Sequence, residues 1–196
     1  MAILTGSQIR DSINDGFITI DPFQENQLNP NSYDLRLGRG VKLIENWVYQ
    51  VSGGGYFPRR DPEPIDLREK INTIDLEMGD RFYMHPGMFY LMHTEERILS
   101  DKYIPVLDGK SSIGRVSIKV HFTAGYGDIG FDGQYTLEVE CSGPMFIYPG
   151  MRIAQVRFHE AHGTIEDYKK RGHYVGKQAR GAIGSRVSDQ IKEDKI

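Results

Sequence analysis

The chain has 196 residues, of which 39% are hydrophobic and 26% are charged, and its formal net charge is −3. This length suits one domain that buries its own core, and we predict a single domain over residues 1–196. A domain that binds nucleic acid usually carries a basic surplus, so the charge argues against such a partner. The single cysteine, Cys141, excludes an intramolecular disulfide and a zinc site built from several cysteines.

The sequence also argues against a membrane protein. Its first residues, "MAILTGSQIRDSINDGF", lack the basic flank and the long apolar run of a signal peptide. No stretch approaches the length of an apolar membrane-spanning helix. We therefore expect a cytoplasmic protein without a membrane partner.

The N-terminal segment predicts one short helix. Thr5 and Ser7 are candidate N-caps, and Gln8 lies three residues after Thr5, which is the spacing of a capping box. Gly16 can adopt the left-handed conformation that often ends a helix.

The rest of the chain predicts strands. "FITIDPF" indicates a strand that Pro22 ends, and "SYDLRLG" indicates a second strand that ends at Gly38. The segment 44–64 is rich in glycine and proline and predicts a loop. From "IDLEMGDRFYMHPGMFYLMHTEE" onward, short alternating runs are separated by glycine or proline, which favours an antiparallel sandwich or barrel.

Three later segments complete the prediction. "QYTLEVEC" alternates between two faces, with Thr136, Glu138 and Glu140 on one and Tyr135, Leu137, Val139 and Cys141 on the other. "MFIYPGMRIAQVRF" predicts a hairpin around Pro149 and Gly150. The polar tail from Gly163 onward predicts an exposed, flexible segment.

Two motifs could carry chemistry on a phosphorylated ligand. "GKSSIGR" at 109–115 concentrates backbone N–H groups, two hydroxyls and two cations, which can grip a polyphosphate. It lacks the P-loop spacing, and a plain turn with solvated charges explains it equally well. "GDIGFDG" lets a ligand approach the backbone near Asp128, with Phe131 free to lie against a flat group, although an Asx turn is the simpler explanation.

Other residues have simpler explanations when taken alone. Glu138 in mid-strand is ordinarily an exposed residue on a solvated sheet face. "HEAH" at 159–162 lacks the spacing of a zinc motif and indicates a polar surface. Met84, Met88 and Met92 indicate core packing.

The motifs taken together resemble one family. "DGKSSIGRVSIKVHFTAGYGDIGFDGQYTLEVE", followed by "YPGMRIAQVRF", resembles the dCTP deaminase branch of the dUTPase-like superfamily. "NPNSYDLRLG" and "FYMHPGMF" resemble its early strands, and "GAIGSR" resembles its C-terminal lid. The resemblance implies a mostly-β, distorted jelly-roll or dUTPase-like β-barrel with a short N-terminal helix and a flexible lid within residues 163–196. It also implies a homotrimer with active sites between subunits.

The resemblance implies hydrolytic deamination of dCTP to dUTP and ammonia, in pyrimidine deoxynucleotide metabolism. Zinc deaminases need a site with two or three cysteines, so the one cysteine of this chain fits a reaction without zinc. Mg²⁺ is expected on the triphosphate and not on the protein.

The resemblance also assigns residues to the reaction. Glu138 matches the catalytic glutamate, which would act as general base toward the attacking water. Ser111 and Arg115 match residues that orient the water and the glutamate, and the Ala124 carbonyl matches a further water ligand.

Substrate contacts follow from the same comparison of motifs. Lys110, Ser111 and Ser112 would grip the phosphates, Asp128 the 3′-hydroxyl of the deoxyribose, and the backbone of Thr136, Leu137 and Glu138 the base edge. Phe131 is a further candidate. In the tail, Tyr168, Tyr174 and Gln178 are the nearest matches to the family's substrate-binding residues.

Alternatives stay open within and outside this family. "GYGDIGF" at 125–131 is similar to the motif of bifunctional members that form dUMP and pyrophosphate, with Gly127 in place of an isoleucine; Asp128 would then help to activate a second water. A second alternative is a plain dUTPase, against which Glu138 argues because a dUTPase needs no glutamate there. A third is a non-catalytic nucleotide-binding trimer, against which the intact Ser111, Arg115 and Glu138 argue.

Overall fold

The structure is a computed structural model that describes residues 2–166, 168 and 181–194. Tyr174 and Gln178 lie outside the described residues, so their assignment to the substrate stays a prediction. Strands dominate the described part of the chain, and every strand pairing is antiparallel. None of the helices in this part of the chain is long and apolar enough to cross a membrane.

The secondary structure begins with a helix and then runs almost entirely through strands. Among the elements that lie wholly in the described residues, the helices are α1 Gly6–Asn14, α2 Ser111–Gly114 and α3 Val187–Glu193, and short 3-10 turns occupy Glu25–Gln27 and Glu45–Trp47. The strands are β1 Ile18–Asp21, β2 Tyr33–Arg36, β3 Gly40–Ile44, β4 Val48–Gln50, β5 Tyr56–Pro58, β6 Thr73–Glu77, β7 Phe82–Met84, β8 Phe89–Ser100, β9 Tyr103–Gly109, β10 Ile118–Val120, β11 Asp132–Cys141, β12 Met145–Ile147 and β13 Arg152–Glu160.

Two larger sheets enclose the core. The six-stranded sheet has the order β10-β11-β8-β3-β6, with β1 also paired to β8, and the three-stranded sheet has the order β2-β13-β9. Strands β7 and β12 form one separate pair, and β4 and β5 form another. Both larger sheets contribute fully buried side chains to one hydrophobic core, including Leu35, Ile98, Leu137, Val156 and Phe158. The mostly-β, antiparallel prediction is therefore confirmed.

Helix α1 forms as its sequence predicts. The Thr5 hydroxyl accepts a hydrogen bond from the Gln8 N–H, and the Thr5 N–H donates to Gln8 Oε1 at 3.0 Å, which makes a capping box. Ile9 is completely buried, and Gly16 follows the helix with a φ of 80°. Ser7 lies inside the helix, so Thr5 is the N-cap.

The loop predicted over residues 44–64 is partly wrong, because this segment contains the β4–β5 hairpin. The rings of Tyr49 and Phe57 stack across the hairpin at 6.1 Å. Gly53 and Gly54 adopt φ values of 106° and 90° in its turn. The high glycine content belongs to this turn, whereas the flanking aromatic residues have the strand propensity.

The hairpin predicted around Gly150 is also wrong. Strand β12 pairs with β7, and β13 pairs with β2 and β9, so the two strands belong to different sheets. Gly150 has a φ of 79°, and its N–H donates to the Leu37 carbonyl at 2.7 Å. The turn therefore carries the chain from one sheet to the next.

Two further predictions concern the core and the tail. Met84, Met88 and Met92 are buried in the core as predicted. The polar surface predicted for "HEAH" is wrong at His159, whose side chain is only 7% exposed at the end of β13. The prediction of an exposed tail is wrong for residues 181–184, because these residues are partly buried.

Candidate active site

Strand β11 carries Glu138 across the six-stranded sheet. Leu137 and Val139 are 0% exposed and face the core, so Thr136 and Glu138 face the other side, as the alternation predicts. The alternation fails at Tyr135, because a β-bulge lies between Gln134 and Thr136. Tyr135 packs on the core and also lines the cleft described next.

A cleft of about 410 Å³ opens on this face of the sheet. Strands β3, β6, β8 and β11, the segment 121–131 and the tail segment 183–185 surround it. Its lining includes six of the residues that sequence analysis assigned to catalysis or substrate binding: Ala124, Asp128, Phe131, Thr136, Glu138 and Tyr168.

The Glu138 carboxylate is held by the segment that follows β10. Its Oε2 accepts hydrogen bonds from the Thr123 N–H at 2.9 Å and from the Thr123 hydroxyl at 3.2 Å. These two donors orient one oxygen of the carboxylate and leave Oε1 available for a water or a ligand.

His121 lies beside the same carboxylate. The Glu138 N–H donates to His121 Nδ1 at 3.2 Å, and His121 Nε2 is 3.8 Å from Glu138 Oε2. Because Nδ1 accepts, a neutral His121 carries its proton on Nε2, on the side of the carboxylate. Neither His121 nor Thr123 was predicted from the sequence; their position just before Ala124, within the family-like stretch, was the available signal.

The floor around Glu138 is apolar. Leu91 lies directly across from Glu138 on β8, and Phe89 lies across from Glu140. The Phe89 ring makes an edge contact with Phe122 at 5.9 Å. A ligand over Glu138 would therefore meet one carboxylate among mainly apolar side chains, as is common in small-molecule sites.

The "GYGDIGF" segment is anchored to the neighbouring strands. The Gly127 N–H donates to the Pro105 carbonyl at 2.8 Å, and the Leu107 N–H donates to the Gly125 carbonyl at 2.7 Å. The Gly130 N–H donates to the Ser100 carbonyl at 2.8 Å, with a φ of 86° that favours glycine. These bonds hold Asp128 at the edge of the cleft.

The "GKSSIGR" segment lies apart from the cleft. Lys110 Nζ is 2.5 Å from Oδ1 of Asp34, a carboxylate that is only 3% exposed, so this lysine is held by an ion pair. Lys110 and Ser111 line a separate open groove of about 870 Å³. Ser112 and Arg115 are exposed on and after α2 and do not line the cleft.

His121 lines both the cleft and the groove, so it forms the wall between them. Within one subunit the structure thus separates Lys110, Ser111, Ser112 and Arg115 from Glu138. The Leu137 side chain is in the core, so only its backbone is available to a ligand.

The tail closes one side of the cleft. The Gly181 N–H donates to Gln134 Oε1 at 2.7 Å, and the Ile183 N–H donates to the Thr136 hydroxyl at 2.8 Å. Tyr168 packs its ring edge against Phe131, with ring centroids 5.8 Å apart. Tyr168 and residues 183–185 of the tail are therefore part of the cleft wall.

Fold and cleft together define a mostly-β protein that gathers carboxylates, hydroxyls and aromatic rings around one cleft, as in small-molecule sites. Among the described residues, no group of three or more histidine, cysteine, aspartate or glutamate side chains could hold a metal ion. A family model described as dCTP deaminase-like matches residues 3–161. The chain belongs to the dCTP deaminase-like family, which confirms the predicted resemblance.

Individual relatives support the same assignment. A Clostridium acetobutylicum protein named dCTP deaminase, dUMP-forming, is 40% identical over 167 residues, which cover 85% of this chain and 87% of that protein. A Cytophaga hutchinsonii protein of the same name is 36% identical over 168 residues, with the same shares covered.

A solved structure shares the fold. It is described as 2′-deoxycytidine 5′-triphosphate deaminase from Agrobacterium tumefaciens, and it matches this chain with a TM-score of 0.58 at 20% sequence identity. The match covers 82% of this chain and 48% of that chain, so this chain matches about half the length of that protein.

Proposed function

We propose that the protein hydrolyses dCTP through dUTP to dUMP, with release of ammonia and pyrophosphate. The observation that carries the proposal is that Glu138 and Asp128 line one cleft. The sequence motifs favoured deamination of dCTP with release of dUTP, and formation of dUMP was the alternative. The names of the relatives at 40% and 36% identity favour the second.

In the first step, water attacks C4 of the cytosine ring. Glu138 takes a proton from the water as the C4–O bond forms and passes protons to N3 and to the departing amino group, so that ammonia leaves as the C4–N bond breaks. The two Thr123 donors at Oε2 support this role, because they leave Oε1 free for the proton transfer. Ser111, Arg115 and the Ala124 carbonyl orient the water.

Substrate binding follows the proposed residue roles. Lys110, Ser111 and Ser112 hold phosphates, and Asp128 accepts a hydrogen bond from the 3′-hydroxyl. The backbone from Thr136 through Glu138 meets the base edge. Phe131 and Tyr168 lie against the nucleoside, with Tyr174 and Gln178 as further contacts from the tail.

The complete site needs more than one subunit. Ser111, Ser112 and Arg115 are exposed and lie outside the cleft that contains Glu138. A neighbouring subunit that places its α2 against this cleft would complete the site, which supports the homotrimer. A single-subunit mass in solution for the active protein would contradict this assembly.

In the second step, Asp128 helps to activate a water that attacks the α-phosphate of dUTP. The new P–O bond replaces the bond to pyrophosphate, and dUMP leaves. Mg²⁺ arrives with the triphosphate and neutralises its charge. A cytoplasmic location belongs to the same proposal.

A product assay tests the proposed function. The protein is incubated with dCTP and Mg²⁺, and the nucleotides are separated by chromatography while ammonia and pyrophosphate are measured. We expect all three products, dUMP, pyrophosphate and ammonia. Accumulation of dUTP alone would contradict the second step, and hydrolysis of added dUTP without ammonia from dCTP would indicate a plain dUTPase. Nucleotide binding without any product would indicate a non-catalytic trimer.

A further inference from the structure

Gly127 has no room for a side chain. A Cβ atom there would lie 2.5 Å from the Tyr135 hydroxyl oxygen, 2.8 Å from Tyr135 Cε1 and 2.9 Å from Pro105 Cγ. The backbone of Gly127 is not in the left-handed region, so the conformation itself does not require glycine. Space for Tyr135 is therefore the reason for glycine at this position.

The hydroxyl of Tyr135 is buried without a hydrogen-bond partner. Its ring packs on Phe131 with centroids 4.9 Å apart, and both residues line the cleft. Burial of a hydroxyl without a hydrogen-bond partner lowers the stability of the folded protein. Such a group in a cleft is explained if a bound ligand or a rearranged side chain supplies the partner. The Gly127 N–H cannot satisfy it, because that N–H already donates to Pro105.

Asp128 follows Gly127, whose backbone lies against the Tyr135 hydroxyl, and its carboxylate has the complementary chemistry. Burial raises the pKa of the Tyr135 hydroxyl, and the negative charge of Asp128 raises it further, so Tyr135 stays protonated and can donate. Among the described residues, no group donates a hydrogen bond to the Asp128 carboxylate. A buried donor, the Tyr135 hydroxyl, and a carboxylate that can accept from it thus line the same cleft.

We propose that Tyr135 is a positioning residue for Asp128: in the nucleotide-bound protein its hydroxyl donates a hydrogen bond to the Asp128 carboxylate and aims it at the sugar 3′-hydroxyl. Gly127 makes the arrangement possible by leaving the space that Tyr135 fills. The proposal deepens the proposed function and rests on it for the identity of the nucleotide.

Binding of two nucleotides tests the proposal. The Kd values of Mg²⁺-dCTP and of Mg²⁺-2′,3′-dideoxy-CTP are measured by calorimetry for Glu138→Gln, which prevents turnover, and for Glu138→Gln/Tyr135→Phe. Tyr135→Phe keeps the ring and removes only the hydroxyl. We expect it to weaken binding of dCTP by about tenfold, the size of a hydrogen bond to a charged group. Binding of the dideoxy nucleotide, which offers no 3′-hydroxyl to Asp128, should be nearly unchanged.

A role in packing alone gives a different result. Equal weakening for both nucleotides would overturn the proposal, and so would unchanged binding of both. Tyr148→Phe is the matched control, because Tyr148 is an exposed tyrosine that does not line the cleft. If Tyr135→Phe weakened binding of dCTP but not of the dideoxy nucleotide, while the wild type released no ammonia, the proposed function would be wrong and the positioning role would stand. If neither nucleotide bound, both the proposed function and the positioning role would be wrong.

A second pair of variants distinguishes the effect of space at position 127 from the effect of the Tyr135 hydroxyl. Gly127→Ile should lower the melting temperature, because its side chain would overlap Tyr135 and Pro105. Adding Tyr135→Ile should restore most of the melting temperature without restoring the preference for dCTP over the dideoxy nucleotide. Full preference in that double variant would contradict the role of the hydroxyl.

Discussion

Glu138 owes its position to two residues of one short segment. Thr123 donates twice to its carboxylate, and His121 accepts from its backbone N–H. Leu91 supplies an apolar neighbour on the next strand. The alternation of β11 predicts which way Glu138 faces. It says nothing of His121 and Thr123, because their contacts depend on how β10 and the following segment pack beside β11.

His159 makes stability depend on pH. Its side chain is buried, both ring nitrogens lack a hydrogen-bond partner, and burial lowers the pKa of the imidazole, with Arg157 lowering it further. A histidine with a lowered folded-state pKa favours folding while it is neutral. This contribution is complete above the unfolded-state pKa of about 6.5 and is lost as the pH falls below it.

We expect His159→Phe to reduce the loss of stability in acid. The free energy of unfolding, measured with urea between about pH 7.5 and about pH 5.5, should decline less in His159→Phe than in the wild type, by up to about 1 kcal/mol. Some decline should persist, because burial also lowers the pKa of His85. His162→Phe, at an exposed site, is the control. Identical slopes for wild type and His159→Phe would contradict this role.

The sequence predicts which segments form strands better than it predicts which strands pair. The alternation in "QYTLEVEC" correctly separates Leu137 from Glu138, yet it misses the bulge at Tyr135. That bulge involves a hydrogen bond from the Tyr135 N–H to the Thr94 hydroxyl at 2.9 Å, 41 residues away in sequence. Strands β12 and β13 were predicted to pair because they are consecutive, whereas their partners lie elsewhere in the chain.

The contact between the tail and β11 can be tested by one substitution on β11. Thr136→Val keeps the shape of the side chain and removes the acceptor for the Ile183 N–H, which is 2.8 Å away. We expect amide hydrogen exchange in residues 181–185 to become about threefold to tenfold faster, the range for one neutral hydrogen bond. Thr19→Val on β1, outside the cleft, should leave the exchange unchanged. Unchanged exchange in Thr136→Val would contradict the docking of this segment on β11.

Within one subunit the proposed catalytic and substrate-binding residues lie on two separate surfaces. The cleft contains Glu138 and Asp128, the groove contains Lys110 and Ser111, and His121 separates them. Family motifs predict which residues belong to the site, but composition and periodicity cannot predict this division. It depends on long-range pairings such as Lys110 with Asp34, which are 2.5 Å apart in space. The proposed homotrimer would bring the two sets together, with α2 of one subunit against the cleft of its neighbour.

The role of Glu138 as general base is tested by ammonia release from Mg²⁺-dCTP in the wild type, Glu138→Gln and Glu140→Gln. Glu140 lies on the same strand, pairs with Lys119 at 3.3 Å and does not line the cleft, which makes it a matched control. We expect similar rates for the wild type and Glu140→Gln, and a loss on the order of 10² or more for Glu138→Gln. The Kd for dCTP should stay within a few fold. Ammonia release by Glu138→Gln at the wild-type rate would contradict the role of Glu138 as general base.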